Sequence, residues 1–344
     1  MDWSCTLRLL LGVILAASLG FAEKQEEESK ALVDRAKQLS DLRAEGAPAF
    51  RLKTSFKVFK KGSSGTEGTY TETWISRRQW RRETVLGDFR EIVVANGNKR
   101  WLLKSTSAEP KGTEEAGFQM ASLRFAPEYW RPEKIEDREL GSLAARCIET
   151  KPDSTGGKSL VCFDKGTGTV AAEVLPVQVR DRIVDHTCEY RDYGKFGERL
   201  FPRVARCFEG PRPTFEETLL ELSAEPSLDP ALFARLEGGT EFVNCQGVSK
   251  PPTPLYMPSA VPPRIENPKN PVVLRLIVEA DGTTDNLRVV GSVDKGFDDA
   301  AMEAVRHYRF KPATCDGEPV ATQIDVDIKF QIISGSHLLR GPTR

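Results

Sequence analysis

The sequence has few of the residues that build histidine-based or dithiol chemistry. Its 344 residues include 3 His and 4 Met, and no two of its 7 Cys have the C-x-x-C spacing. Neither a zinc site of the usual spacing nor a dithiol redox motif is therefore expected. An excess of one charge is also absent, because 49 Lys and Arg oppose 50 Asp and Glu. Such a balance creates no field for nucleic acid, so we predict no nucleic-acid partner.

Long apolar runs are absent outside the first 22 residues. There, a single Arg8 precedes an apolar run over residues 9–17, and the small residues Gly20 and Ala22 precede a run rich in glutamate. This layout predicts a signal peptide over residues 1–22 and an exported chain. The alternative is an uncleaved anchor, although the run is shorter than the ~20 residues of a spanning helix. Membrane contact is expected only if the signal stays uncleaved.

Cysteine is the most informative count. Cleavage would remove Cys5 and leave six cysteines, an even number in an exported chain, where disulfides persist. Two pairs flank short turns between apolar-alternating runs, as in hairpins, which leaves a third pair. The predicted disulfides join Cys147 with Cys162, Cys188 with Cys207, and Cys245 with Cys315. The alternative is that some are free, buried thiols.

The first block of the mature chain, residues 23–241, begins with a helical pattern. Apolar residues at Leu32, Ala36, Leu39 and Leu42 form one stripe among charges. From Phe50 the apolar period changes to two, and Gly-rich turns separate the runs. Regular short strands with such turns predict an antiparallel meander. We therefore expect a helix on a large, curved antiparallel sheet.

A proline-rich segment follows this block. Residues 251–271 contain 8 of the 22 prolines of the chain. Such composition favours a stiff, extended backbone, so residues 242–271 are predicted to be a linker. The alternative is a short ligand for a proline-binding module.

The last block, residues 272–334, combines both periods. It predicts a hairpin with a turn at Asp281-Gly282, a helix that ends before Pro312, and a final strand that alternates apolar and polar residues to Ile332. This order is β-β-α-β, and residues 335–344 are expected to form a flexible tail. The whole chain is thus predicted to be α+β.

The last block resembles the C-terminal domain of the TonB family. The matching segments are VVLRLIVEADGT, DDAAMEAVRHYRFKPAT and DGEPVATQIDVDIKF, in that order. With the linker, the resemblance covers residues 245–334. The first block resembles the LolA-like lipoprotein-carrier fold, through its leading helix, its sheet and the segment T-W-I-S…Q-W-R-R-E.

The TonB resemblance implies a protein of the Gram-negative periplasm, anchored in the inner membrane if the signal is uncleaved, with a link to transmembrane transport. It also implies binding of an envelope protein or peptide as an added strand, which is β-augmentation. The candidate edge is the strand from Ala321 to Ile332, and its solvent face carries Gln323, Asp325, Asp327 and Lys329. The alternative is that these residues only solubilise a capped edge.

Two departures from the family weaken a role in energy transduction. A proline segment of ~20 residues spans at most about 60 Å, too short for an arm across the periplasm. The segment Tyr-Pro-x-x-Ala-Arg that usually precedes the first strand is also missing. A periplasmic binding or adaptor protein therefore fits better than a transducer.

The LolA-like resemblance implies a second function, a carrier of a lipid or hydrophobic ligand. If the sheet curves as in lipid carriers, an apolar cavity is expected beside Trp74, Trp80 and Trp101; the alternative is that they pack in the sheet. His186 and His307 have no catalytic partners nearby in the sequence, so they are interpreted as structural. We predict no enzyme activity, no metal and no cofactor.

Overall fold

The computed structural model describes residues 24–60, 64–106, 110, 112–113, 116–117, 132–150, 157–179, 182–224, 229–264, 268 and 270–330. The predicted signal peptide and the tail at 335–344 lie outside these residues. The chain forms two compact units. The first unit comprises Met1–Gly87, Lys111–Gln178 and Arg182–Asp229, and the second unit comprises Asp88–Pro110, Val179–Asp181 and Pro230–Arg344.

Helices are few in the described part of the chain. They are α1 over residues 24–40, a short 3-10 helix over Pro230–Phe233, and α2 over Lys295–Arg306.

Strands dominate the structure. In chain order they are β1 (Phe50–Val58), β2 (Thr66–Ser76), β3 (Gln79–Leu86), β4 (Phe89–Asn96), β5 (Lys99–Lys104), β6 (Pro132–Leu140), β7 (Leu143–Thr150), β8 (Leu160–Asp164), β9 (Val170–Val179), β10 (Arg182–Arg191), β11 (Gly194–Phe196), β12 (Arg199–Phe201), β13 (Val204–Glu209), β14 (Arg212–Ala224), β15 (Thr240–Val243), β16 (Ser249–Lys250), β17 (Thr253–Tyr256), β18 (Val272–Val278), β19 (Thr284–Gly291), β20 (Arg309–Lys311), β21 (Ala313–Cys315), β22 (Glu318–Val320) and β23 (Thr322–Ile328).

The first unit is built on one large antiparallel sheet. Its strands follow the order β3-β2-β1-β14-β13-β10-β9-β8-β7-β6, and β11 and β12 form a separate hairpin. Alternate residues of β1, such as Phe50 and Leu52, are buried and share a core with Val33 and Ala36 of α1. Because successive side chains of a strand point to opposite faces, α1 covers one face of the sheet. The predicted helix on a large antiparallel sheet is confirmed.

The second unit holds the strand run β15-β5-β4 and three small sheets. The strand orders of these sheets are β19-β18-β23, β16-β21-β22 and β17-β20. In the C-terminal part, two strands precede α2, and three short strands separate α2 from the last strand. The predicted small C-terminal β domain is therefore present. Its elements follow the order β-β-α-β-β-β-β and not the predicted β-β-α-β.

The boundaries differ from those expected in two places. Residues 88–110 group with the second unit, because β5 pairs with β15 in antiparallel register and β4 pairs with β5. The predicted linker, residues 242–271, is also more than a spacer. Its strands β16 and β17 pair with β21 and β20, so its backbone is hydrogen-bonded to the C-terminal domain.

The three predicted disulfides are confirmed. Cys147–Cys162 joins directly opposite residues of β7 and β8, and Cys188–Cys207 does the same for β10 and β13. Cys245–Cys315 spans 70 residues. It ties the start of the predicted linker to β21.

Candidate functional site

Strand β23 lies at the end of the β19-β18-β23 sheet, and we call its residues Thr322–Ile328 the β23 edge. Within the described residues, β23 pairs only with β18, and all seven of its residues are in continuous register with that strand. Its other side therefore carries the unpaired backbone donors and acceptors of a sheet edge.

A rigid core positions this edge. On one face of the sheet, β18 contributes side chains that are fully buried, and α2 packs on them through Phe297, Ala301 and Val305. Phe297 also meets Phe330, just beyond β23, with ring centroids 4.8 Å apart at 67°. Such edge-to-face pairs stabilise beyond their buried area. The end of β23 is thus anchored to the helix.

The start of α2 is capped by its own sequence. Asp294 accepts hydrogen bonds from the backbone nitrogens of Gly296 (2.9 Å) and Phe297 (3.3 Å), which satisfies two of the free donors of a helix start. Arg264 pairs with the same carboxylate at 2.5 Å and lowers its pKa. The cap fixes where Phe297 enters the core.

The other face of β23 is charged, as predicted. Its four predicted solvent-facing residues are all exposed: Gln323, Asp325, Asp327 and Lys329. Asp325 is held by Arg275 of β18 through two bonds, of 2.7 Å from Nε and 2.8 Å from Nη2. The hydrogen bond from Arg275 lowers the pKa of Asp325. This bidentate pair fixes the register of the edge at its centre.

The opposite edge of the same sheet is irregular. The register between β18 and β19 shifts twice, and Asn286 has φ of +53°, a left-handed conformation. Thr284 Oγ1 also donates to the carbonyl of Val305 in α2 (2.9 Å). Because bulges disrupt a ladder and twist an edge away from a further strand, β23 is the better template for an added strand.

Part of the charged face is covered by a hairpin that the sequence analysis assigned to the first domain. Ile277 of β18 is 1% exposed and packs with Phe242 of β15, Leu102 of β5 and Ala321. Lys104 Nζ donates to Asn286 Oδ1 at 2.8 Å. The sequence contains one sign of this contact, because Ile277 is an apolar residue on the charged face of β18.

The three tryptophans do not form one group. Trp74 and Trp80 lie directly opposite each other on β2 and β3; Trp74 is buried and stacks on Phe50 at 6.4 Å. The Arg82 guanidinium lies 4.2 Å from the ring centroid of Trp80. Trp101 belongs to the second unit. There its Nε1 donates to Glu241 at 2.8 Å. The predicted apolar cavity at these three residues stays a prediction.

A buried ionic cluster lies in the core of the first unit, which the sequence analysis missed. Glu72 of β2 is 1% exposed and accepts hydrogen bonds from Arg43, Arg82 (3.0 Å) and Tyr70 (3.0 Å). Burial raises the pKa of Glu72, but the two guanidinium groups outweigh it and hold that pKa below its ordinary value. Glu72 lies between Tyr70 and Trp74 on the buried face of β2. A glutamate at a position where the alternation predicts an apolar residue was the one sign of this cluster in the sequence.

Two clusters of metal-ligating residue types occur in the described part of the chain. One comprises His186, Cys188 and Cys207, and the other Cys245, Cys315 and Asp316. In both, the sulfurs are joined in disulfides and offer no thiolate. His186 Nε2 lies 3.4 Å from the sulfur of Cys188, which fits its structural interpretation.

None of the helices in the described residues is long and apolar enough to span a membrane.

The segment around the β23 edge matches a known family. Residues 267–332 match the family model of the Gram-negative bacterial TonB protein C-terminal domain. The chain therefore carries a TonB-type C-terminal domain, and the predicted resemblance is confirmed. A search of curated proteins found no match to the sequence.

Three solved structures of low identity are similar to the chain. A domain described as an outer membrane lipoprotein-sorting protein, from Vibrio parahaemolyticus, is 15% identical; the match covers 62% of this chain and 97% of that one, with a TM-score of 0.41. A LolA superfamily protein from Nitrosomonas europaea is 8% identical, with 60% and 97% covered and a TM-score of 0.37. A DUF1329 family protein from Desulfovibrio piger is 11% identical, with 61% and 97% covered and a TM-score of 0.42. All three TM-scores lie below 0.5.

Proposed function

We propose that this chain is a periplasmic protein of the Gram-negative cell envelope that binds an extended segment of a partner protein as an added strand along the β23 edge. The observation that carries the proposal is the regular, unpaired side of β23 at the end of a sheet whose other edge is bulged. An added strand gains affinity from main-chain hydrogen bonds, which require no particular partner sequence.

Side chains at the edge support the same conclusion. Ile324 and Val326 point to the core face but are only half-buried, since β23 has a neighbour on one side alone. A bound strand would cover their exposed flanks with its own alternate residues. The partner is thus an extended segment with apolar residues at every second position.

Charge on the opposite face narrows the partner further. Asp327 is exposed and lies opposite the apolar Val273 on β18. A cross-strand neighbour of opposite charge is favoured on a sheet, and a like charge is disfavoured. The partner strand is therefore expected to place a basic or neutral residue, not an acidic one, beside Asp327.

The proposal is for an adaptor and not for a transducer. The proline-rich segment is partly hydrogen-bonded to the C-terminal domain, which shortens any free arm below the about 60 Å that the sequence allows. Reach across the periplasm is therefore smaller than the sequence suggested.

Site-specific photo-crosslinking tests the proposal. A photoreactive amino acid replaces Gln323 on the β23 edge of the full chain, and a matched control replaces Val290, which is 41% exposed on the bulged strand β19. After irradiation in Gram-negative envelope extract, the expected result is a discrete adduct from position 323 only. Mass spectrometry then identifies the crosslinked peptide.

Strand addition is verified with that peptide in synthetic form. N-methylation at alternate residues should abolish binding in one phase and leave it unchanged in the other, because only every second backbone N–H faces the edge. Hydrogen exchange of residues 322–328 should slow on binding. Equal adducts from positions 323 and 290, or insensitivity to N-methylation in both phases, contradicts the proposal.

A further inference from the structure

The predicted linker carries most of the exposed large apolar side chains in the described part of the chain. Eight such side chains are exposed there, and five of them lie between positions 248 and 261: Val248, Leu255, Tyr256, Met257 and Val261. Single exposed apolar residues are ordinary on a protein surface, but their concentration in one segment marks a contact site. We call β17 with Met257 and the paired strand β20 the β17 ribbon.

The backbone of this segment is fastened at both ends. Before the ribbon, Cys245 is bonded to Cys315. After the ribbon, Ala260 packs against the core of the C-terminal domain, and the Arg264 guanidinium lies 4.7 Å from the ring centroid of Phe297. The fold thus fixes the backbone while it leaves Leu255, Tyr256 and Met257 70%, 59% and 51% exposed, so burial of these three side chains is not what holds the segment.

The ribbon is exposed on both faces. Thr253 and Pro254 are successive residues opposite Lys311 and Phe310, so they point to opposite faces, and both are exposed. Leu255 is the extra residue of a bulge, since the next paired residue is Tyr256. A flat protein surface covers one face of such a ribbon. The interfacial region of a membrane, by contrast, surrounds an inserted edge on every side.

The charges beside the apolar residues are mostly positive. Arg309 and Lys311 are exposed at alternate positions of β20, opposite Tyr256 and Thr253, and Lys250 is exposed on β16. Two carboxylates lie nearby. Asp281 interacts electrostatically with Arg309, and Asp316 accepts a hydrogen bond from the amide of Val248 at 2.8 Å. Three cations beside two carboxylates leave an excess of positive charge.

This composition complements an anionic membrane surface. Tyrosine suits a membrane interface because its ring is apolar and its hydroxyl is polar. Lysine and arginine are attracted to anionic headgroups, and exposed apolar side chains gain free energy when they enter the boundary between headgroups and acyl chains.

We propose that the β17 ribbon is a membrane-contact surface. Leu255, Tyr256 and Met257 enter the headgroup region of a bilayer that contains anionic phospholipid, and Arg309 and Lys311 lie against its phosphates. The sequence analysis expects membrane contact only through an uncleaved signal, whereas this surface gives the mature chain a contact of its own. The proposal goes beyond strand binding at the β23 edge and does not depend on it.

Sedimentation with vesicles tests the proposal. The disulfide-bonded chain from residue 23 onward retains every residue that the structure describes and excludes binding through the predicted signal. It should bind vesicles of phosphatidylglycerol and phosphatidylcholine in equal parts, and bind pure phosphatidylcholine vesicles more weakly. The variants L255S/Y256S/M257S and R309Q/K311Q should each bind the anionic vesicles about tenfold more weakly.

Two matched controls lie elsewhere in the C-terminal domain. Val290→Ser removes an apolar side chain that is 41% exposed on β19, and Lys295→Gln removes an exposed cation at the start of α2. Both should stay within about twofold of wild type.

A site-specific readout keeps the test independent of affinity. Tyr256→Trp adds an emission that brominated phosphatidylglycerol should quench, and Val290→Trp adds one that it should leave unchanged. Equal quenching at the two positions, or binding that neither ribbon variant weakens, overturns the proposal. Absence of binding to anionic vesicles also overturns it, and the ribbon would then be left to a partner protein.

Discussion

Glu72 shows what a single residue decides in the first unit. Its carboxylate lies in the core, where an isolated charge is strongly disfavoured, and it persists because two guanidinium groups and a phenol surround it. Arg43 lies in the turn just after α1, so the cluster ties the end of that helix to β2. The position of the helix on the sheet therefore depends on this carboxylate as well as on apolar packing.

Glu72→Gln should lower the free energy of unfolding of the first unit by about 3–5 kcal/mol, because it leaves two guanidinium groups uncompensated in or near the core. Glu67→Gln, on the same strand, is the matched control. Its carboxylate is 81% exposed and pairs with Lys57 at 3.5 Å, so the change should stay within about 0.5 kcal/mol. Urea-dependent hydrogen exchange of β2 measures both. Equal effects would show that the cluster contributes little.

The same carboxylate predicts a pH dependence. The pKa of Glu72 is lower in the folded protein than in the unfolded chain, so its ionic contribution is full above the unfolded-chain value. That contribution is lost as the pH falls through the lower, folded-state pKa. The stability difference between wild type and E72Q should therefore shrink with acidification in this window. A difference that grows on acidification would contradict this assignment.

At the scale of elements, the second unit is held together by long-range ties between short strands. Strands β16 and β17 have two and four residues, and none of these residues is buried. Such strands are marginal by themselves, since their ladders are short and no core covers them. The disulfide Cys245–Cys315 therefore stabilises this part of the unit by limiting the unfolded chain.

Replacing both cysteines of this disulfide by serine should destabilise the second unit by about 4 kcal/mol, because the cross-link closes a loop of 70 residues. The double variant C147S/C162S, whose loop is 15 residues, should lose about 3 kcal/mol in the first unit. Hydrogen exchange should accelerate first at residues 249–256 in one variant and at β7 and β8 in the other. Faster exchange in the wrong unit would refute this account.

At the scale of the whole molecule, the chain combines two compact units, and the β23 edge belongs to the second unit.

Export is a prediction that can be tested on the whole molecule. Expressed from its own start in a Gram-negative host, the chain should be recovered from the periplasm without residues 1–22, because the first segment has the layout of a cleaved signal. The intact mass under non-reducing conditions should also fit six cysteines in three disulfides. A protein that retains Met1 and sediments with membranes would support the anchored alternative.

Local patterns predicted the parts of this protein that depend on near neighbours. The alternation in β23, the helical stripe that includes Phe297 and the turn at Asp281-Gly282 all depend on side-chain direction over a few residues. The hairpin disulfides depended on equally short spacings. The TonB-type domain could be recognised for the same reason, since its three segments are consecutive in the chain.

Contacts between distant segments could not be predicted in this way. Nothing within a few residues of Trp101 indicates that β5 pairs with β15, almost 140 residues later, or that Leu102 then packs near Ile277. The two arginines that pair with Glu72 come from the turn before β1 and from β3. A single glutamate at an apolar position of the pattern does not indicate which residues will pair with it.

The sequence by itself determined the alternation of strands, the two hairpin disulfides and the class of the C-terminal domain, because each is encoded over short stretches. The third disulfide, Cys245–Cys315, followed as the one remaining pair. Only the tertiary structure decided which edge of the β19-β18-β23 sheet is regular, that the proline-rich segment joins the C-terminal domain, and that Leu220 is the extra residue of a bulge in β14. These features depend on register and strand order. Both arise from packing across the whole fold, where one shifted residue changes which side chains face each other.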